Sequence, residues 1–210
     1  MNTIWAIREL CAGEDGFKNL FDRDKSYGKL IDLSDNKKEA SLVATMLYGR
    51  ARRTLLAMVH DAYNYDKYAR RAIKEIALSG MSGIEARHTL DIFLEAFGFP
   101  DHRSIDPSKA DTIVTDDGSF RTEYKGEVRN GKEHGVGVRT CYYDGKWCNY
   151  DECVWIDGVM CGYNNSKELQ FEMFEDRKIG FVVNDNFIGK SRTIASGGEE
   201  FDEEGKNLDI

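Results

Sequence analysis

Apolar residues in the first half of the chain recur every three or four positions, and in the second half they alternate. Ile4, Ile7 and Leu10 share one helical face, Phe17, Leu20 and Phe21 a second, and Leu30, Ile31 and Leu33 a third. Asn36 with Glu39 three residues on has the spacing of a capping box. It predicts a helix whose stripe is Val43, Met46, Leu47, Leu55, Met58 and Val59, weakened in the middle by Gly49. Tyr68, Ala72 and Ile76 beside Ala69, Ile73 and Ala77 predict another helix, ended by Ser79-Gly80. Ser82 with Glu85 opens a last one, carrying Leu90, Phe93, Leu94 and Phe97 and stopping at Gly98 before Pro100.

From Tyr124 onward the period is two. Tyr124, Gly126 and Val128 share one strand face, and Lys125, Glu127 and Arg129 the other. Asn130-Gly131 supplies the positive φ angles of a type I′ turn. Asp144-Gly145 separates Tyr142-Tyr143 from Lys146-Trp147, and Asp157-Gly158 separates Val154-Trp155-Ile156 from Val159-Met160-Cys161. Leu169, Phe171 and Met173 alternate, as do Ile179, Phe181 and Val183. Gly135 and Gly137 lie on one face of the return strand, which predicts a group pressed close to the backbone there.

The run Tyr124-Lys125-Gly126-Glu127-Val128-Arg129-Asn130-Gly131-Lys132-Glu133-His134-Gly135-Val136-Gly137 resembles a MORN repeat, a β-hairpin unit that stacks on its neighbours. The resemblance covers about one full repeat, Tyr124–Gly145. It implies that an aromatic ring of the next unit, supplied by Tyr142, Tyr143 or Trp147, lies on the glycines. Trp155-Ile156-Asp157-Gly158 followed by Gly162 echoes the same spacing, Phe171 to Gly180 suggests a third unit, and Phe201 to Lys206 has similar turn chemistry. Repeats of this kind bury their faces only by stacking. The irregular spacing leaves open a bespoke antiparallel sheet instead of a regular ribbon. In the first half, Lys37–Leu56 and the segment ending Phe93-Leu94-Glu95-Ala96-Phe97-Gly98 resemble a small helical domain of bacterial multidomain proteins.

The expected class is therefore α+β: an N-terminal helical bundle followed by an antiparallel MORN-like β meander. The expected division is a helical domain over residues 1–100, a linker over 101–119 and a β domain over 120–210. Charge follows the same division. Up to Ile105 there are 16 Lys and Arg against 15 Asp and Glu, and after it 13 against 22. The acidity of the second half argues against nucleic acid or anionic lipid as its partner. No apolar run approaches a membrane span, and no signal-peptide pattern is expected at the start.

Candidate chemistry is sparse. Cys11, Cys141, Cys148, Cys153 and Cys161 lack the close pairs of a zinc site and read as reduced core thiols. His60, His88, His102 and His134 have no visible nucleophile partner. Gly197-Gly198-Glu199-Glu200-Phe201 matches the signature pentapeptide of diguanylate cyclases, but nine residues after it leave no room for the rest of that domain, so a turn is expected. Two surfaces remain. Arg50 and Arg53, with Arg52, Arg70, Arg71 and Lys74, make the helical half locally basic. Tyr142, Tyr143, Trp147, Tyr150 and Trp155 put aromatic side chains, the type enriched at interface hot spots, on the sheet.

The reading that follows is a non-enzymatic, cytoplasmic, bacterial protein that binds another protein through its MORN-like sheet, as a scaffold or as a stoichiometric inhibitor of the immunity or antitoxin type. Neither cofactor nor metal is expected, and a homodimer is compatible with the pattern. The alternative is an enzyme or regulator with a Cys, His and acid site assembled between the two halves.

Overall fold

The computed structural model describes residues 1–13, 15–170 and 174–206. Its helices are α1 (Thr3–Leu10), α2 (Gly16–Leu20), α3 (Arg23–Leu33), α4 (Lys37–Tyr48), α5 (Arg52–His60), α6 (Tyr65–Ala77) and α7 (Gly83–Ala96), with one 3-10 turn at Ala62–Asn64. Their ends follow from local hydrogen bonding. Ser82 Oγ accepts from the Glu85 N–H at 3.2 Å, and the Glu85 carboxylate accepts from the Ser82 N–H at 3.0 Å. That reciprocal pair satisfies two donors that the first turn of α7 leaves free. Asn36 Oδ1 caps α4 by accepting from the Glu39 N–H at 3.1 Å. The stripe from Val43 to Val59 belongs to two helices, not the single one expected. Gly49 leaves the helix with an extended ψ of −151°, and the chain restarts at Arg52.

The strands are β1 (Ala110–Asp116), β2 (Phe120–Arg129), β3 (Lys132–Tyr143), β4 (Lys146–Ile156), β5 (Val159–Gln170), β6 (Phe174–Val183), β7 (Asn186–Ile194) and β8 (Glu200–Glu204). They form one sheet in sequence order, every neighbouring pair antiparallel. The class is thus α+β, a helical layer followed by an open meander. Positive φ angles at Asn130-Gly131, Asp144-Gly145 and Asp157-Gly158 make the three expected turns, and Asn184-Asp185 makes a fourth without glycine. Two expectations change. The span 101–119 is not only a linker, because Ala110–Asp116 pairs with β2 as the edge strand. Phe201–Glu204 pairs with β7, so this segment is a strand, and the turn is the glycine pair before it. Phe171 and Met173 lie outside the described residues.

One apolar core joins both halves of the chain. Phe17, Phe97 and Phe99 gather around Phe181 of β6 with ring centroids 5.3, 5.6 and 5.9 Å away. Val136, Val154, Ile156, Cys161, Tyr163, Ile179, Val183 and Ile188 complete the sheet's contribution to it. The Tyr163 N–H donates to the Phe97 carbonyl at 2.8 Å, tying β5 to the end of α7. On the opposite face of the sheet, Tyr124, Cys153 and Trp155 form a small second cluster with Ile113, Val128 and Met160.

The glycine pair of β3 is explained within its own hairpin. A Cβ at Gly137 would sit 2.4 Å from the Tyr124 ring carbon that bears the hydroxyl, and one at Gly135, where φ is +85°, would meet the Glu127 carboxylate. The groups lying on the glycines are therefore Tyr124 and Glu127, and not Tyr142, Tyr143 or Trp147. Gly137→Ala is expected to destabilise the protein by about 1–3 kcal/mol through overpacking against a ring that has nowhere to go. Urea unfolding of the variant checks this.

Candidate functional site

The helix-side face of the sheet is apolar where β5 to β7 meet the core, and ionic where β2 and β3 meet α1. Lys125, Glu127 and Arg129 do share a face, and two of them reach α1. The Arg8 guanidinium donates to Glu127 at 2.8 Å with both side chains buried, and Arg129 pairs with Glu9. Arg8 also donates to the carbonyls of Ala96 at 3.0 Å and Glu95 at 3.2 Å, at the C-terminal end of α7 where a cation is favoured. Glu127 in turn accepts from the N–H groups of Val136 at 3.0 Å and Asp106 at 2.9 Å. A β-bulge between Gly126 and Val128 interrupts the β2–β3 pairing at Glu127, and the Tyr124 hydroxyl donates to the Glu127 carbonyl at 2.9 Å. This network is structural.

His134 lies beside it, fully buried, with its ring stacked on Trp5 at 4.7 Å and 18°. Its Nδ1 is 3.3 Å from Asp157, and its Nε2 meets no partner among the described residues. Burial, reinforced by the charge of Arg129 and opposed by Asp157, pulls His134 down to about 4. Burial pushes Asp157 up, but its bond to Arg129 outweighs this and holds it below the usual carboxylate range.

A cavity of about 500 Å³ opens between the end of α1 and the sheet, lined by Cys11, Cys161, Asp157, Asp185 and neighbours. It is the nearest approach to the Cys, His and acid site of the alternative reading. Its lining does not include His134. A hydrogen bond to Cys11, together with burial, raises the Cys161 thiol well above its ordinary value, which opposes a thiolate nucleophile. Cys153 is likewise pushed up by burial. No cluster of three or more metal-ligating side chains occurs among the described residues.

The aromatic candidates separate. Trp155 is fully buried, not exposed as expected: it packs edge-on to Tyr124 at 5.8 Å and under the Arg139 guanidinium at 3.9 Å. Tyr142 is half-buried with the Arg121 guanidinium 5.9 Å from its ring, and Tyr143 stands exposed beside the Asp144-Gly145 turn. Trp147 and Tyr150, both half-buried on β4, come together in one groove of about 390 Å³ with Asn165, Lys167 and Glu175. Lys167 and Glu175 pair at its rim, 2.7 Å apart. Burial raises the Tyr150 phenol. Arg50 and Arg53 are exposed at the α4–α5 turn and do not line this groove.

Asn165, Lys167 and Glu175 were not foreseen, since their strands pair only in three dimensions. Arg103 was also missed. It donates to the carbonyls of Gly98 at 2.6 Å and Tyr163 at 3.0 Å and pairs with Glu152, strapping the chain after α7 across the sheet. No family model matches the chain, and no curated protein matches it either.

Proposed function

We propose that this is a non-catalytic binding protein whose sheet docks a partner protein through the Trp147–Tyr150 groove. The observation that carries this reading is the groove itself. Two partly exposed aromatic side chains stand over a concavity lined by strand residues alone, with a polar rim of Asn165, Lys167 and Glu175. Aromatic anchors surrounded by polar groups are the arrangement that concentrates binding energy in protein interfaces. A scaffold and a stoichiometric inhibitor of the immunity type both fit such a surface, and the MORN-like hairpin supplies the rigid sheet on which it is mounted.

The test is capture of partners from native lysate with the intact protein and with a Trp147→Ala/Tyr150→Ala variant. A stoichiometric protein held by the parent and lost by the variant, at unchanged melting temperature, is the expected result. Each aromatic anchor is expected to contribute about 1–2 kcal/mol or more to that affinity. Equal recovery by both proteins would move the interface elsewhere.

A further inference from the structure

The sheet ends in two edges of unlike chemistry. β8 forms one, and four of its five residues, Glu200, Asp202, Glu203 and Glu204, are carboxylates. A copy of the chain set against that edge would bring like charges together, a common way of blunting a strand that could otherwise recruit another. β1 forms the other edge, with β2 on one side and no strand on its far side among the described residues. Its central residues, Thr112-Ile113-Val114-Thr115, are uncharged and all β-branched, the type that favours extended chain. It holds no proline, and no bulge interrupts its pairing with β2. Every residue of β1 except Ile113 is exposed, Val114 over 49% of its surface.

Hydrogen bonding decides which backbone groups of β1 are free. At the two ends of the β1–β2 register, the Lys109 carbonyl accepts from the Val128 N–H at 2.9 Å, and the Asp117 N–H donates to the Phe120 carbonyl at 3.1 Å. Residues of an antiparallel pair alternate between bonded and non-bonded positions. Asp111, Ile113 and Thr115 therefore turn their backbone groups to β2, and Ala110, Thr112, Val114 and Asp116 turn theirs outward. The Asp111 carboxylate covers one of these, the Thr112 N–H, at 2.7 Å, a local contact that an added strand would displace.

The outward residues are spaced evenly about Ile113. An antiparallel copy centred there sets Thr112 opposite Val114 and Ala110 opposite Asp116, so every outward N–H and C=O is paired. Centring it on Thr112 or Val114 instead leaves Asp116 or Ala110 without a partner. The side chains agree with the central register. Asp111 then meets Thr115, no two carboxylates stand opposite each other, and Ile113 meets Ile113 of the second copy. Ile113 packs on the small cluster of Tyr124, Cys153 and Trp155. The two-fold axis would thus join the clusters of both copies into one apolar strip, on the face away from the helices.

We propose that the partner of β1 is a second copy of this chain, in a two-fold dimer whose sheets join edge to edge at Ile113. Such a closed pair covers both copies of the unblunted edge, and the self-complementary register is what favours it over an unrelated peptide. The joint lies three strands from β4 and does not depend on the Trp147–Tyr150 groove.

Sedimentation equilibrium of the intact protein should show a species of twice 23.9 kDa, with a dissociation constant on the order of 10 µM for an interface this small. Val114→Pro removes an outward N–H and no bond to β2, so it should melt within about 2 °C of the parent. It should weaken the dimer by about tenfold or more. Val114→Lys puts a charge on the edge beside Glu123 of its own sheet and should weaken the dimer without constraining the backbone. Ile113→Cys tests the register. Centred pairing brings the two new residues to about 4.5 Å between Cα atoms, within disulfide reach, so oxidised glutathione should give a covalent dimer. Thr112→Cys, Val114→Cys and the parent should give far less. A monomeric parent would overturn the proposal, including one whose β1 edge proves to hold a different chain. A dimer untouched by Val114→Pro and Val114→Lys would place the joint elsewhere, and crosslinking at Thr112→Cys or Val114→Cys in preference to Ile113→Cys would overturn the register.

Discussion

Replacing Arg8 or Glu127 by alanine is expected to cost about 3–5 kcal/mol, the largest loss from any single polar substitution in this chain. The magnitude follows from what each side chain leaves behind. Without Glu127, the buried Arg8 guanidinium keeps only the carbonyls of Glu95 and Ala96. Without Arg8, a buried carboxylate faces the N–H groups of Val136 and Asp106 with no cation in contact. Glu127→Gln separates the two contributions: it preserves an acceptor oxygen and removes the charge, and should still cost a large part of the total. For a chain of this size the alanine variants should melt roughly 10 °C lower. The double variant should fall well short of the two single losses added together, since the groups share one network. Additive losses in chemical denaturation would show that the pair is not coupled.

The reason this pair matters so much is topological. Helix α1, the end of α7, the chain entering β1 and the β2–β3 hairpin all hydrogen-bond to the same two side chains. Much of the surrounding fold was legible from sequence. The Ser82–Glu85 box and the Asn-Gly and Asp-Gly turns announce themselves within four residues, because the interactions that make them are local. What was not legible depends on residues far apart in the chain. Glu127 reads as a surface residue of a polar strand face until α1 arrives with Arg8 on the other side of that face. Trp155 reads as an exposed aromatic until Tyr124 of β2 and Arg139 of β3 are seen to cover it. The candidate groove was half legible for the same reason. Trp147 and Tyr150 share β4, whereas Asn165, Lys167 and Glu175 are brought to them only by the β4–β5 and β5–β6 registers.

Acid should loosen the junction between α1 and the sheet before it reaches the carboxylates, and His134 is the group responsible. Its ring is sealed between Trp5 and the β3–β4 region, with Lys109 lying 3.8 Å from the other ring of that stack and Arg8 and Arg129 nearby. A proton on this imidazole is opposed by burial first and by the charge of Arg129 second, with Asp157 alone in its favour. The folded value is therefore about 4, below the ordinary 6.5 of an unfolded chain. Between those limits the unfolded chain takes up a proton that the native state refuses. Stability is consequently full above about pH 6.5 and declines as pH falls toward 4, at up to about 1.4 kcal/mol per pH unit and on the order of 2–3 kcal/mol in all. Carboxylates whose values are lowered, such as Asp157 and Glu85, lose their contribution only at the acid end of this range and below. The interval from pH 6.5 to 5 thus separates the histidine from those carboxylates, while the buried Asp151, whose carboxyl is raised by burial, acts in the opposite sense by favouring the native state as pH falls. His134→Phe preserves an aromatic ring against Trp5 and cannot titrate. Urea midpoints measured across that interval should fall toward acid more steeply for the parent than for the variant, and parallel slopes would assign the acid sensitivity to another group.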